Sequence, residues 1–219
     1  MPCFWLPLLL PAVILAQSGT VQASGTASIS VNPDQAQITV GVVTDGSTAQ
    51  DAAHKNAAQT ATVLAALKQA LGAAGTVQTV SYSVYPRYSS SNTPSPTIVG
   101  YTSSNTLQAT SYDLSIIGSL IDSANQAGAN NVGGLTFGLQ NPEPVKQQAL
   151  TQAAKIGRAH ADAIATGLNA KTGTVVSAQE VSTYSPIVNG TAGAATTTPI
   201  QTGQVSVSAN VTVTVQLTQ

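Results

Sequence analysis

Charge is scarce in this 219-residue chain: 7 % of it is charged, seven Lys and Arg against eight Asp and Glu. A soluble domain usually carries roughly 25 %. The basic residues (Lys55, Lys68, Arg87, Lys146, Lys155, Arg158, Lys171) are scattered, and the net charge is −1. The sequence therefore has no electrostatic footprint for nucleic acid or an anionic membrane surface. Cysteine is nearly absent too. Cys3 stands alone at the N-terminal end, so a chain shortened there has no disulfide, thiolate nucleophile or Cys-ligated metal. The two histidines, His54 and His160, fall on different predicted helices, and neither has a ligand partner four residues on. The spacing predicts a surface His54 and a partly buried helical His160. No serine is flanked by glycine two residues away on both sides, which excludes a nucleophile elbow. Gly133, Gly134 and Gly138 lack the following Lys-Ser/Thr of a phosphate loop and read as a bulge or close packing. No catalytic, cofactor-binding or metal-binding residue is assigned, and the chain reads as a non-enzyme.

Hydrophobic residues make up an ordinary 42 % of the chain, and long apolar periodicities argue against disorder. Phe4 to Ala16 is an uncharged, mostly apolar run of 13 residues interrupted by Pro7 and Pro11. A membrane-spanning helix needs about 20. The run matches the apolar core of a secretory signal, with polar residues following it. Residues 1–23 are read as a signal peptide cut after Ala16 or Ala23, and 24–219 as a single domain. No transmembrane segment is expected after processing, and the location is periplasmic or secreted.

Period-2 alternation predicts strands through Ala27–Val31 and Ile38–Val42, the second pairing with the first across Asn32-Pro33-Asp34. Ser47-x-x-Gln50 and Thr48-x-x-Asp51 are overlapping helix-start signals. Behind them Ala53, Ala57, Ala61, Leu64, Leu67 and Leu71 form a helical stripe that Gly72 closes. Strands follow at Val80–Val84 and Ile98–Ser111, separated by a polar loop near 87–97. Asp113 caps a second helix on Leu114, Ile117, Leu120, Ile121 and Ala124, ending at Gly128. Leu135, Phe137 and Leu139 mark another strand. Asn141-Pro142-Glu143-Pro144 opens a third helix on Leu150, Ala153, Ile156, Ala161, Ile164 and Leu168. A strand at Val175–Val181 and a polar loop near 187–203 precede the clearest pattern, Val205 to Leu217, apolar at every second residue. The order ββαββαβαββ predicts an α+β fold: a mostly antiparallel sheet with three helices packed on one face.

One cluster invites a binding role. Tyr82, Tyr85, Arg87, Tyr88 and Tyr101 flank the first loop and include four of the six tyrosines. Such a set suits an aromatic platform for a ligand or glycan. It better suits amphipathic rings covering a sheet edge and the base of the loop, the reading the sequence favours.

Several stretches share an order and spacing with a known family. They are Pro33-Asp34-x-Ala36 before Gly41-Val42, Gly100-Tyr101-x-x-x-Asn105-x-Leu107, and Asp113-Leu114-x-x-Ile117-Gly118-x-Leu120-Ile121-Asp122. Gly128-Ala129-Asn130 before Phe137, the helix around Arg158-Ala159-His160-Ala161, and Pro199-Ile200 with Gly203 continue the pattern. Together these resemble the SIMPL-domain family, which includes exported bacterial periplasmic immunogenic proteins. Two departures lower the charge: Thr202-Gly203-Gln204 stands where Pro-Gly-Glu is common, and His160 where Lys is usual. The resemblance implies a non-catalytic cell-envelope protein without cofactors. It also implies action through self-assembly or contacts with envelope proteins, some members being linked to oxidative-stress tolerance and others forming large oligomers.

Overall fold

The computed structural model describes residues 19–89, 96–185, 200 and 202–218. The apolar N-terminal run read as a signal-peptide core, and the central parts of the two polar loops, lie outside the described residues. Strands β1 (Thr20–Val31) and β2 (Gln35–Gly46) lead into α1 (Ala49–Leu71), then β3 (Gly75–Tyr88) and β4 (Ile98–Ser111). A single 3-10 turn, Leu114–Ile116, runs into α2 (Ile117–Gln126). The chain then forms β5 (Asn131–Gly138), α3 (Glu143–Gly167), β6 (Lys171–Ser185) and β7 (Val205–Thr218). The class is α+β and the element order is the expected one. The strands are distributed over two antiparallel sheets, β1-β7-β6 and β3-β4-β2-β5.

The first two strands do not form the expected hairpin. β1 pairs with β7, and β2 is flanked by β4 and β5. The cross-strand pairs Ser24–Thr212, Thr26–Asn210 and Ser28–Ser208 fix the β1–β7 register through side-chain bonds of 3.0, 3.0 and 3.1 Å. An Asn-Pro-Asp corner redirects the chain as readily as it reverses it. Here Asp34 is held by β5: its N–H donates to Gly138 O at 3.0 Å, and its Oδ1 accepts from Gln140 N at 2.6 Å.

Two compact units emerge, one from the described residues of 1–27, 150–182 and 209–219, the other from those of 28–149 and 183–208. In the larger unit, α1 and α2 bury a core of Ile38, Val40, Val42, Val63, Leu67, Leu107, Ile117 and Leu120. Thr48 Oγ1 accepts from Asp51 N, and Asp51 Oδ2 accepts in return from Ser47 N, so the second of the overlapping start signals is the one used. Gly72 ends the helix at φ +53°. Asp113 caps the 3-10 turn before α2 by accepting from Ser115 N. The Gly133-Gly134 pair marks a bulge, with the β2–β5 register shifting between Gln37 and Thr39 and Gly134 at φ +62°.

The stripe that α1 buries is Ala52, Asn56, Thr60, Val63, Leu67 and Leu71. Its N-terminal half is therefore one residue away from the expected alanines. Asn56 is tolerated there because its Nδ2 donates to Val42 O at 2.8 Å and Ser103 O at 3.0 Å, while its Oδ1 accepts from Thr60.

The smaller unit corrects the third helix. Its buried line is Ala153, Gly157, Ala161 and Ala165, whereas Ile164 and Leu168 are 42 % and 62 % exposed. Small residues are required because the backbones meet. A Cβ on Gly25 would stand 2.1 Å from Ala153 O and 2.3 Å from Gly157 N. Val21, Ala23, Ala161 and Val215 complete this core.

Candidate functional site

β3 and β4 carry all five residues of the tyrosine cluster, and their register divides it. Tyr82 pairs with Asn105 and Pro86 with Tyr101, while Asn105 pairs with Val42 and Tyr101 with Gly46. Tyr82 and Tyr101 thus share the sheet face that α1 covers at Val42. Tyr85 and Arg87, opposite Thr102 and Gly100, stand on the other face. Tyr88 follows a register shift and pairs with Ile98. Tyr82, Tyr85 and Tyr88 are 53 %, 48 % and 56 % exposed. No single aromatic platform forms, because an odd separation along one strand sends Tyr82 and Tyr85 to opposite faces.

Arg87 has a partner that the sequence did not indicate. Its Nη1 lies 3.2 Å from Asp45 Oδ2 on β2, and Thr102 donates to Asp45 Oδ1 at 2.6 Å. The side chain passes over Gly100, where an added Cβ would come within 3.2 Å of Arg87 Nη2. The absence of a side chain at Gly100 opens this path. Both charged groups remain about half exposed, so the pair contributes little to stability and mainly fixes the arginine.

Three other polar residues of these stretches are occupied in the same way. Asn130 acts as a strand edge: its Oδ1 accepts from Val43 N at 2.8 Å and its Nδ2 donates to Val43 O at 2.7 Å. Arg158 binds Asp162 Oδ1, Gly173 O and Thr172 Oγ1, tying α3 to the start of β6. His160 is exposed rather than partly buried, and its Nδ1 donates to Ser24 O at 2.9 Å. Two carboxylates at helix starts, Asp51 and Asp113, have altered acidity. A hydrogen bond from Lys55 lowers the pKa of Asp51, and hydrogen bonds from Ser115 lower that of Asp113. Two buried oxygens, Ser103 Oγ and Asn105 Oδ1, have no partner. They share the face of β4 that meets Asn56. Sequence reasoning missed Asn56 because a lone amide in an alanine-rich helix carries no periodic signal.

Among the described residues no three His, Cys, Asp or Glu side chains are grouped to hold a metal ion. No helix there is long and apolar enough to cross a membrane.

The SIMPL family, described as a protein of unknown function (DUF541), matches residues 21–215. The chain belongs to that family. It is also similar to the 26 kDa periplasmic immunogenic proteins of Brucella melitensis biotype 1 and Brucella abortus strain S19. Each is 28 % identical over 170 residues, covering 76 % of this chain and 68 % of the relative. This SIMPL protein is periplasmic or secreted. The family description and the relatives' names carry no catalytic activity.

Proposed function

We propose that this protein is a non-catalytic exported envelope protein that acts by self-assembly and by contacts with other proteins. The observation that carries this reading is the poverty of charge on the four sheet edges. β1 and β5 carry no charged residue. β3 carries Arg87, which is engaged by Asp45, and β6 carries Lys171 and Glu180. Soluble proteins usually guard such edges with lysine, proline or distortion, because an open edge pairs with other chains. Asn130, Arg158 and His160 of the family-like stretches support the same view, since they hold backbone rather than stand ready for a substrate. Any part in oxidative-stress tolerance runs through these contacts. Sedimentation velocity on the processed protein at neutral pH tests assembly, and crosslinking in intact cells tests the contacts. A single monomeric species up to high micromolar concentration, together with no crosslinked product, defeats the reading.

The leader is part of this proposal, and the burial of two residues supports the earlier of its two exits. Val21 and Ala23 are core residues packed with Ala161 and Val215. Cleavage after Ala23 would remove them, which supports a processed chain that begins at Gln17. A second reading, ligand or glycan binding at the tyrosines, draws on the exposure of Tyr85 and Tyr88. A thermal-shift screen repeated on Tyr85→Ala and Tyr88→Ala tests it.

A further inference from the structure

Eleven large apolar side chains stand exposed among the described residues, and six of them lie on β3 or the start of β4: Val80, Tyr82, Tyr85, Tyr88, Ile98 and Val99. Concentrated exposure of this kind marks an interaction surface more often than chance. β3 is also an edge strand, with no described strand on its outer side.

The direction of its unpaired backbone groups follows from one bond. Gly41 O accepts from Asn130 N, on the β5 side of β2. Alternation along a strand turns the backbone groups of Val42 to β4, those of its partner Asn105 to β2, and those of Ser104 to β3. Ser83, opposite Ser104, therefore bonds inward, and Tyr82, Val84 and Pro86 face outward. Pro86 fits this phase, since its missing N–H removes no bond to β4.

The open row is short. A register shift between Thr79 and Ser81 interrupts it on one side, and Pro86 limits it on the other. Five residues span roughly 17 Å of strand. That is too little for two copies of this chain to hold together, because a stable pair buries about 1,200 Å² or more. It suits a peptide. The division of the cluster between faces, which prevents a flat platform, also fits a strand-shaped partner: Tyr82 stands on one side of an added strand and Tyr85 on the other. Gly75–Pro86 contains no charged residue and Arg87 is engaged by Asp45, so the segment received is neutral.

We propose that the outer edge of β3 from Tyr82 to Pro86 receives an uncharged, extended peptide segment of a partner protein. The segment is β-branched or aromatic at alternate positions and binds as an added strand. The inference rests on the reading that the protein acts through protein contacts, and it names the site and the chemistry of the partner.

The probe is a fluorescein-labelled, end-blocked heptapeptide of sequence TVTYTVT, titrated into the processed protein and followed by anisotropy. A peptide with proline in place of its central tyrosine serves as the control. Val84→Pro deletes one outward N–H while sparing the bonds to β4, and Tyr85→Ser removes one side contact without touching the backbone. Saturable binding is expected, weakened about tenfold or more by Val84→Pro and severalfold by Tyr85→Ser, with melting temperatures close to wild type. The proline peptide should bind at least tenfold more weakly than the strand-former. No binding of TVTYTVT, or equal binding by both variants, overturns the proposal. If Val84→Pro instead converts an assembled wild type to monomers, the edge is a junction between copies. The peptide site then falls while the assembly reading stands. Monomers without crosslinked partners would remove the assembly reading itself.

Discussion

Gly25→Ala is a small change that this packing should not accept. The new methyl carbon would sit 2.1 Å from Ala153 O, 2.3 Å from Gly157 N and 3.0 Å from Gly157 Cα. Carbon–oxygen contacts in proteins settle near 3.3–3.6 Å, so α3 and β1 must separate by roughly 1 Å. All three obstructing atoms are backbone, and no rotamer can absorb the movement. A gap of that size removes a quarter to a half of each dispersion contact along the buried line Ala153, Gly157, Ala161 and Ala165. Overpacking typically costs about 1–3 kcal/mol, and a backbone clash belongs at the upper end. Reduced unfolded-state entropy returns about 0.4–1 kcal/mol, leaving a net loss of roughly 2–2.6 kcal/mol. At about 2–4 °C per kcal/mol for a chain of this size, the melting temperature should fall by roughly 4–10 °C. Gly167→Ala is the matched control in the same helix, since an added Cβ there meets nothing within 4 Å. It should be neutral or slightly stabilising. Thermal melts followed by far-UV circular dichroism compare the two. Equal stability of both variants would refute the close approach of α3 to β1.

Asn56→Leu should destabilise by about 1–3 kcal/mol in urea titration, because it removes bonds to Val42 O, Ser103 O and Thr60 from a fully buried position; an unchanged midpoint would mean those bonds contribute nothing net. Val211→Asp places a charge at a position only 6 % exposed and should unfold or aggregate the protein. Thr212→Asp, on the opposite face beside Ser24, should remain folded, and equal solubility of the two in a sedimentation assay would disprove the facing of β7. The lowered pKa values of Asp51 and Asp113 mean that their ionised forms favour the folded state. That stability is present above the unfolded carboxyl pKa near 4 and is lost as pH falls through the lower folded values. Asp51→Asn with Asp113→Asn should therefore flatten the stability curve below about pH 4, and an unaltered acid limb would count against the capping role. N-terminal mass spectrometry on protein from its native host should find Gln17; Ser24 would show that Val21 and Ala23 are dispensable.

Local grammar determined much of this protein. Seven alternations made β7 certain as a strand with one face buried, because side chains on an extended chain point alternately to either side. Thr48, Asp113 and Asn141 announced helix starts, since each supplies an acceptor that unpaired N–H groups need. Gly72 marked a helix end where φ turns positive, and Gly133 with Gly134 marked a bulge. What only the tertiary structure decided was partnership. An apolar pattern records that a face is buried but not against what, so nothing local pairs β1 with β7, whose Ser24 and Thr212 are 188 residues apart. The buried stripes of α1 and α3 escaped the pattern for related reasons. Asn56 is buried because strand carbonyls happen to meet it, and Ala153, Gly157 and Ala161 are buried because they are small enough for backbones to touch. The tyrosine cluster was legible as a cluster and not as a site. Its division between two faces depends on the register of β3 against β4, and register is fixed by the packing of the whole sheet.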